Sequence, residues 1–538
     1  MKKKILALLM AATCALPTLG LMTGCGGNKS KHQFTILAVK ESTVQNYNDM
    51  PVFKKLNEET GKDVYWTFNT SSQYSQNNDP VNTEGIDAIY HAGFSNKNLY
   101  AYGKRNRIVA IDNYLDSMPN FKKILDDRPD IHEALKSPDG HIYSLPRIEE
   151  MGLYQYPNIL FINKTWIEKL MTNDELALPS GAKLTKEDLK DGLDLKRSDF
   201  KDILQKFNTT DMDGDGAVGA SGGKEVPLQF VSNNWQGNIS DLIASFGLPE
   251  NIEHKTIVNG QVTFTVEDQK WYDALVELKD WYGKTLIRAT AFTQDQDQFL
   301  AYGQDGRYGA FYWWEKETVV NKDLRDDYII VKPLADDNGN RYVGVSNKLE
   351  VEKAECVVLS KCRDVKGLLS YFDKFYEPDY SAQLNYGSIE SGAFLAEKQD
   401  GMLIPNDDHG EQSADDFRMK NAPYGLVYLT DAVWGKTVKM ESRAELRQQR
   451  LAAYVKPYSY EGATNIPNLN YSEKELNDLY TYESSLGNNI NSFMVSVIRG
   501  SATQTYEEFL DKNKSSINTV KSINQAAYDR YLTALGKK

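Results

Sequence analysis

Short, mainly apolar runs alternate with amphipathic segments along most of this chain. The runs have the length and composition of strands buried on both faces of a sheet, and they cover residues 34–39, 86–90, 328–331 and 356–359. Between and beside them, apolar positions recur at spacings of three and four residues, which predicts amphipathic helices. The clearest series are Trp271, Ala274, Leu275 and Leu278, and Val365, Leu368, Leu369 and Phe372. Strands that alternate with helices favour an α/β architecture.

The first 24 residues have the layout of a bacterial signal peptide. Lysines at positions 2–4 precede an uncharged apolar stretch over residues 5–22. The stretch ends in Leu-Met-Thr-Gly before Cys25 and resembles the lipobox of bacterial lipoproteins, which implies cleavage before Cys25 and diacylation there. A retained transmembrane anchor is the alternative, but the lysine flank and the small residues at the end fit a signal peptide better. Residues 25–32 are then the lipidated cysteine and a flexible tether.

Length, charge and cysteine content limit the class of protein further. The 538 residues allow about three domains or two large lobes. A formal net charge of -13, without an opposing basic run, argues against nucleic acid as a partner. Beyond Cys14 and Cys25 only Cys356 and Cys362 remain. A disulfide between these two and a simple apolar role for Cys356 both stay open.

Four stretches resemble a known family when they are taken in order. Residues 139–146 are similar to the family's Asp-Gly-x-x-Tyr-x-x-Pro segment, and residues 161–166 to the strand and helix start that follow it. Residues 306–314 resemble a Gly-x-x-Gly strand that ends in tryptophan, and residues 524–531 resemble the closing helix of a long-chain lipoprotein subgroup. With the lipobox, this order resembles the extracellular solute-binding lipoproteins of bacterial ABC transporters, in their carbohydrate-binding branch.

This resemblance implies an α/β, two-lobed fold of the type II periplasmic-binding-protein kind, with hinge strands and a ligand cleft between the lobes. We expect lobe one over residues 33–150 plus 335–387, and lobe two over residues 151–334 plus 388–538. The resemblance also implies that an oligosaccharide binds in the cleft, that the lobes close, and that the closed form delivers the ligand to a membrane permease. We expect a monomer, lipid-anchored on the extracellular face of the cell membrane, without enzymatic activity.

Aromatic residues are abundant, with 32 Tyr, 20 Phe and 8 Trp. Sugars present apolar C–H faces and rings of hydroxyls, so sites that bind them combine flat aromatic side chains with fixed polar groups. The resemblance implies that a tryptophan at the end of the 306–314 strand stacks on the sugar, and Trp235 lies in a polar loop with little packing reason for a bulky side chain. Packing in the core is the alternative for every aromatic candidate. We expect the ligand to contact Trp66, Tyr154, Tyr156, Trp235, Trp313 and Trp314.

Three charged residues are candidate polar contacts for the ligand. We expect Asp87, Arg147 and Glu149 to lie where strands end at the cleft. Solvated surface charge is the alternative for each of them. The acidic chain also argues against polyanionic glycans, since a cleft for these would concentrate Arg and Lys.

An aspartate-rich loop at residues 211–216 follows the spacing of the first half of an EF-hand, in which alternate carboxylates converge on a hard cation. The twelfth position is Gly222 rather than glutamate, so a complete EF-hand is not present. The family resemblance implies a structural calcium site with a Glu-x-Pro tail, although an insertion over residues 219–224 departs from the family pattern. A solvated Asp/Gly turn is the alternative. The expected calcium ligands are Asp211, Asp213, Asp215, Ala217 and Glu225.

Motifs for enzymatic chemistry are missing from the sequence. The six histidines include no pair at the spacing of a zinc-binding helix. Gly-Lys-Thr occurs at residues 283–285 and 435–437, but without the glycine five residues earlier that a phosphate-binding loop requires, and Gly-x-Ser-x-Gly occurs only at residues 219–223, inside the insertion of the aspartate-rich loop. Carboxylates are plentiful, so a secreted glycoside hydrolase that uses two of them is one alternative function. A binding lipoprotein for a peptide or another non-sugar solute is the other. We expect no catalytic residues.

Overall fold

The structure is a computed structural model that describes residues 32–40, 44–150, 156–219, 224–232, 234–410 and 412–538. The predicted signal peptide, Cys25, most of the predicted tether and Tyr154 lie outside the described residues. Within these ranges, no helix is both long enough and apolar enough to cross a membrane.

The strands of the described chain are short. They are β1 Phe34–Val39, β2 Val64–Asn69, β3 Ala88–Tyr90, β4 Leu145–Glu149, β5 Ile159–Asn163, β6 Glu175–Ala177, β7 Lys183–Thr185, β8 Val226–Gln229, β9 Lys255–Val258, β10 Gln261–Phe264, β11 Tyr308–Trp313, β12 Tyr328–Val331, β13 Val351–Val358, β14 Tyr428–Leu429 and β15 Ala463–Thr464.

The helices range from single turns to the two long helices near the C-terminus. They are α1 Pro51–Thr60, α2 Ser71–Ser75, α3 Asn96–Lys104, α4 Pro119–Asp127, α5 Pro129–Leu135, α6 Lys164–Leu170, α7 Arg197–Thr209, α8 Ser240–Ala244, α9 Gln269–Gly283, α10 Gln296–Gln304, α11 Lys316–Val319, α12 Val365–Asp373, α13 Pro378–Tyr386, α14 Ala414–Asn421, α15 Ser442–Tyr454, α16 Glu473–Ile498 and α17 Tyr506–Ala534.

Six strands form the central sheet of lobe one, in the order β14-β4-β13-β3-β1-β2. β1 pairs in parallel with β2 and β3, whereas β13 runs antiparallel to β3 and β4. The predicted strand at residues 34–39 is β1, and its first five side chains are buried because core clusters lie on both faces of the sheet. The α/β architecture of the prediction is therefore present in this lobe.

Lobe two is built on a second sheet, in the order β12-β5-β11-β8. β5 runs antiparallel to β11 and β12, and β8 pairs in parallel with β11. The larger core of this lobe packs α7, α9, α16 and α17 together, and a smaller core lies on the other face of the sheet. The predicted amphipathic helix is α9, whose buried residues are Trp271, Ala274, Leu275, Leu278 and Trp281. Each of the two lobes thus has its own main sheet and core, and two smaller sheets, β10-β9-β15 and β6-β7, complete the described strands.

One stretch packs in the lobe opposite to its predicted place. The sequence analysis assigns residues 388–538 to lobe two, but residues 388–444 pack largely against lobe one. β14 pairs in parallel with β4, and Phe394 and Leu403 join the lobe-one core. This stretch is mostly loop with a weak apolar pattern, so tertiary contacts decide its position. The chain returns to lobe two within α15, where Leu451 joins a lobe-two core.

Candidate ligand-binding cleft

A cavity of about 1090 Å³ lies between the two lobes. It opens at the carboxyl ends of β3 and β4 in lobe one and of β8 and β11 in lobe two, which is where α/β sheets place their ligands. Small-molecule sites measure about 300–1,000 Å³, so this cavity suits a ligand larger than one sugar unit. Its lining includes His91, Arg147, Glu149, Trp235, Gln236, Gln296, Trp314, Glu317, Arg325, Lys348, Glu355, Arg418, Tyr424, Arg443 and Arg447.

Trp314 lines the cleft, whereas Trp313 lies in the core. Successive residues of a strand point to opposite faces of the sheet, and β11 ends at this pair. The ring of Trp313 is fully buried and stacks on Phe299, with 4.9 Å between the ring centroids. Trp314 lies beside the guanidinium groups of Arg443 and Arg447, which are 5.9 and 5.2 Å from its ring centroid. These two cations orient the indole in the cleft wall.

Trp235 lies on the lobe-two loop after β8 and lines the same cleft. Its backbone carbonyl accepts hydrogen bonds from the side-chain amides of Asn158 and Asn347, at 2.9 and 3.3 Å. The ammonium group of Lys348 lies 5.1 Å from its ring centroid. Contacts from two other segments therefore fix the loop, and the structure brings Trp235 and Trp314 to one cavity.

The structure places the other described aromatic candidates away from the cleft lining. Trp66 on β2 is buried in the lobe-one core, where its ring lies 4.7 Å from Phe53 and 5.3 Å from Tyr90 between centroids. Tyr156 is half-buried and packs against a lobe-two core. β2 is an edge strand, and its tryptophan faces the core of lobe one rather than the strand ends, so the position of Trp66 differs from the prediction.

Arg147 and Glu149 lie together on β4 in the lobe-one wall of the cleft. The guanidinium of Arg147 forms an ion pair with Glu149 and donates to Oδ1 of Asn385 at 2.9 Å. Nδ2 of Asn385 donates in turn to Glu149 at 2.9 Å. Burial alone would raise the pKa of Glu149, but Arg147 and Arg418 lower it to about 2. Glu149 therefore stays ionised, and the network fixes this wall of the cleft.

Asp87 lies at the opposite end of its strand from the cleft. β3 begins at Ala88, so Asp87 precedes its amino end, whereas His91 follows its carboxyl end and lines the cavity. The carboxylate of Asp87 accepts a hydrogen bond from the backbone N–H of Thr35 at 2.9 Å. The prediction and the structure differ here because the apolar run extends beyond the strand on its amino side.

Several residues of the cleft wall come from segments that no sequence motif marked. His91 forms an ion pair with Glu355 on β13. The guanidinium carbon of Arg418 lies 4.8 Å from the ring centroids of both Tyr386 and Tyr424. The position of His91 directly after a buried strand is a local signal that sequence reasoning missed, whereas Arg418 reaches the cleft only through tertiary packing.

The aspartate loop brings four carboxylates together outside the cleft. One carboxylate oxygen from each lies within 4.8 Å of the others, and the residues are Asp211, Asp213, Asp215 and Glu225. Glu225 is fully buried and accepts hydrogen bonds from two backbone N–H groups of the loop, at 2.9 and 3.0 Å. The N–H of Ala217 donates to Asp215 at 2.9 Å. Such an oxygen cluster has the chemistry that hard divalent cations prefer.

Cys356 and Cys362 are both buried, and both are free thiols. Cys356 lies on β13 in the lobe-one core, where burial raises the pKa of its thiol. The structure thus has Cys356 as a small apolar core residue, which is one of the two roles that the sequence leaves open.

Proteins of known structure share this fold, although no family model matches the chain. The chain is 25% identical over 500 residues to the fructooligosaccharide ABC transporter substrate-binding protein FusA of Streptococcus pneumoniae, a match that covers 90% of this chain and 87% of the relative. Two solved structures of FusA from S. pneumoniae, one with kestose and one of an EF-hand mutant with fructo-nystose, match with a TM-score of 0.81 at 23% identity, over 93% of this chain and 99% of theirs.

A solved structure of another protein has the same fold at lower sequence identity. The HMO-binding ABC-transporter-associated solute-binding protein from Bifidobacterium longum infantis matches with a TM-score of 0.71 at 19% identity, over 93% of this chain and 98% of the other. These relatives are named as substrate-binding or solute-binding proteins of transporters rather than as enzymes. The predicted resemblance to solute-binding proteins of ABC transporters is confirmed: this chain is similar to FusA in sequence and shares its fold, whereas the lipoprotein subgroup stays a prediction.

Proposed function

We propose that this protein is the substrate-binding component of an ABC importer and that it captures an oligosaccharide between its lobes. The open form binds the ligand, the lobes close by bending at the connecting segments, and the closed form delivers the ligand to membrane permease subunits. The observation that carries this proposal is the interlobe cavity of about 1090 Å³, with indole rings on one wall and fixed polar groups on the other.

The side chains of the cleft suit a sugar ligand. Trp235 and Trp314 offer flat rings on which the C–H face of a sugar stacks. Arg147 and Glu149 offer donors and acceptors at fixed positions for sugar hydroxyls. Similarity to a fructooligosaccharide-binding relative makes fructooligosaccharides the first ligands to test. These four side chains are the proposed ligand contacts.

The charges of the cleft favour a neutral ligand over a polyanion. Arg147 pairs with Glu149 on the lobe-one wall. On the other wall, Glu315 lies 2.7 Å from Arg443 and 3.1 Å from Arg447. Cations that already have a carboxylate partner give little net attraction to a uronate chain. We therefore propose a neutral oligosaccharide.

We also propose that the aspartate loop binds a structural Ca²⁺. The clustered carboxylates support this, as does the existence of an EF-hand mutant among the FusA structures. The carboxylates would supply charged oxygen ligands, and the backbone carbonyl of Ala217 would supply a neutral one. Because the loop joins α7 to β8 outside the cleft, the ion would stabilise lobe two without contacting the ligand.

The location that we propose is the extracellular face of the cell membrane. The signal peptide pattern over residues 1–24 and the lipobox at Cys25 support export and diacylation. Residues 25–32 would then link the anchor to lobe one. The proposed partners are the oligosaccharide, the permease subunits and, through the anchor, the membrane; the protein would act as a monomer.

Thermal unfolding of the protein from residue 26 onwards tests the proposed function. The ligand panel contains kestose, nystose, other neutral oligosaccharides, uronate oligosaccharides and peptides. A ligand at about 100 times its dissociation constant adds about 2.7 kcal/mol of stability. We expect a neutral oligosaccharide to stabilise the protein by this amount. We also expect the chain length of that oligosaccharide to stay unchanged over hours. Shortening of the glycan would favour the hydrolase alternative, and stabilisation by peptides alone would favour a non-sugar solute.

A pair of matched variants places the binding site. Trp314→Ala should abolish most of the ligand-induced stabilisation. Tyr480→Ala should keep it, because Tyr480 is 67% exposed on α16 and lies outside the cleft. Equal responses of the two variants would contradict a site in the cleft.

A further inference from the structure

His91 connects the central sheet of lobe one to a backbone segment of the cleft wall. Its Nδ1 forms an ion pair with the carboxylate of Glu355 on β13. Its Nε2 lies 3.0 Å from the backbone carbonyl oxygen of Pro423. The hydroxyl of Tyr47 donates to the same carbonyl at 2.9 Å. The imidazole thus bridges a strand of the sheet and the segment 423–425, which lines the cleft at its second and third residues.

The two contacts of His91 require a charged ring. The ionised carboxylate of Glu355 and the peptide carbonyl of Pro423 accept hydrogen bonds and cannot donate them. A neutral imidazole carries one N–H, whereas the imidazolium carries two. Both contacts are therefore satisfied together only when His91 is protonated. The backbone of His91, with φ of 58°, is held in the left-handed region, which is uncommon for a residue other than glycine.

The segment 423–425 positions Tyr424 in the lobe-one wall. The guanidinium carbons of Arg418 and Arg147 lie 4.8 and 5.9 Å from the ring centroid of Tyr424. The hydroxyl of Tyr90 donates to the carbonyl of Tyr424 at 2.5 Å. The place of the Tyr424 ring, and of the arginines that pack on it, therefore depends on how this segment sits against the sheet.

We infer that protonated His91 is a positioning residue that holds Tyr424 and its arginines in the ligand-binding wall and makes ligand affinity dependent on pH. The binding part of this inference rests on the proposed oligosaccharide function. When His91 loses its proton, one ring nitrogen can no longer donate, so its contact with either Glu355 or the Pro423 carbonyl is lost. The segment 423–425 then becomes less ordered, and the lobe-one wall binds the ligand more weakly.

The groups that face His91 set the direction of its titration. Burial lowers the pKa of His91, but the ion pair with Glu355 and the bond to the Pro423 carbonyl raise it, and Arg147 on β4 lowers it. The net effect is a raised pKa, so His91 keeps its proton to higher pH than a free histidine does. Affinity should accordingly be full at low pH and fall as the pH rises through this pKa.

Other titratable groups near His91 do not change charge in the same pH range. Burial raises the pKa of Glu355, but His91 and Arg147 lower it below its usual value, so the carboxylate stays ionised. Burial also raises the pKa values of Tyr47 and Tyr90 far above neutrality. The charge of Lys348 also lowers the pKa of Glu355.

Elsewhere in the described chain, Glu150 and Lys353 have pKa values of about 7 and Asp241 has one of about 8, because burial disfavours their charged forms. The comparison with a His91 variant therefore assigns a pH effect to His91.

The first test is the affinity for a neutral oligosaccharide from the panel, measured by calorimetry from about pH 5.5 to about pH 9. Each unit by which the ligand raises the pKa of His91 changes the affinity about tenfold across the titration. We expect the wild type to lose about tenfold and His91→Gln to give a flat profile. His141→Gln is the control, because His141 pairs with Asp112 at 2.8 Å and has a raised pKa, but lies outside the cleft. A His91→Gln profile as steep as that of the wild type would overturn the inference.

The second test needs no ligand and therefore separates this inference from the proposed function. Histidine-selective ¹⁵N labelling gives six ring systems, and His91→Gln identifies the one from His91. We expect both ring nitrogens of His91 to carry protons at neutral pH, and amides of residues 424–427 to exchange faster in His91→Gln than in the wild type at the same pH. A ring with a single proton, or unchanged exchange, would overturn the inference even if an oligosaccharide binds. A doubly protonated ring in a protein that binds no oligosaccharide would overturn only the proposed function.

Discussion

The two walls of the cleft share buried ion pairs, with Glu315, Arg443 and Arg447 in lobe two, but only the lobe-two wall adds indole rings. On the lobe-one wall, Arg147 and Glu149 are only 6% and 4% exposed and belong to a buried ionic network, whereas the lobe-two wall presents the rings of Trp235 and Trp314. A buried charge network keeps its shape only while its partners are present. An indole in a cleft offers its face to a ligand, while its loss costs the fold little. The difference teaches that damage to the Arg147–Glu149 network should appear mainly as lost stability, and loss of an indole ring that lines the cleft mainly as lost affinity.

The largest expected effect comes from breaking the lobe-one network. Glu149→Ala removes the buried carboxylate that pairs with Arg147 and Arg418, and it should lower the free energy of unfolding by about 3–5 kcal/mol. Denaturant unfolding measures this. The control Asp478→Ala removes an exposed ion pair with Lys474 and should cost less than about 1 kcal/mol. Equal losses in the two variants would remove the distinction between the walls.

The same network predicts a direction for acid destabilisation. Because the folded state lowers the pKa of Glu149 from 4.5 to about 2, its contribution to stability is fully present above about pH 4.5 and is lost as the pH falls towards 2. Wild type and Glu149→Gln should therefore converge in stability over this range. If the difference in unfolding free energy between the wild type and Glu149→Gln stayed constant over this pH range, Glu149 would not be held ionised by its neighbours.

Calcium removal should affect stability without affecting either wall. The aspartate loop lies outside the cleft, so binding of Ca²⁺ at about 100 times its dissociation constant should add about 2.7 kcal/mol to the unfolding free energy. Asp213→Asn should abolish this gain, while ligand affinity at a temperature where both forms are folded should change little. A large change in affinity on chelation would connect the loop to the cleft and contradict the separation.

Trp314→Ala should cost affinity, whereas Trp313→Ala should cost stability. Loss of the cleft-lining indole should weaken ligand binding by about 2 kcal/mol, or about thirtyfold. Loss of the fully buried neighbour should instead lower the unfolding free energy by about 3–5 kcal/mol. Calorimetric titration and denaturant unfolding of both variants measure the two effects. The reverse outcome would mean that the pair is assigned to the wrong faces.

The smallest expected effect concerns the cation beside Trp235. Lys348 lies 5.1 Å from its ring centroid, and Lys348→Met should lower ligand affinity by about 0.5–1 kcal/mol through a less well oriented indole. A double-mutant cycle with Trp235→Ala isolates the pair, and a Lys348→Met effect that persists in Trp235→Ala would place the role of the lysine elsewhere.

Local pattern predicts the elements of this fold better than it predicts the walls of its cleft. The strand β1 follows from its continuous apolar run, because the sheet is buried on both faces, and the helix α9 follows from periodicity, because it buries one face. Arg147 and Glu149 follow from their place at the carboxyl end of a strand. The same rule misplaces Asp87, because the run that contains it begins before the strand does. A local pattern locates a strand but leaves its exact ends, and so its cleft residues, to tertiary structure.

Residues that arrive from distant segments escape sequence reasoning for a different reason. Arg418 reaches the lobe-one wall of the cleft because the stretch around β14 packs on β4. No periodic pattern in the sequence predicts this pairing. Trp66 is a candidate by residue type, because tryptophans often stack on sugars. Its sequence context is equally consistent with its position in the structure, which is on an edge strand with its side chain buried in the lobe-one core. Aromatic identity therefore predicts a candidate, and only the position of the side chain relative to the cleft decides between packing and binding.

The most direct test of the central claim is a calorimetric titration of the protein from residue 26 onwards with kestose and nystose. The account predicts saturable binding of one ligand per chain, weakened about thirtyfold in Trp314→Ala and unchanged in Tyr480→Ala. Absence of binding by every neutral oligosaccharide of the panel, or binding that Trp314→Ala leaves intact, would contradict capture of a neutral sugar between these two walls.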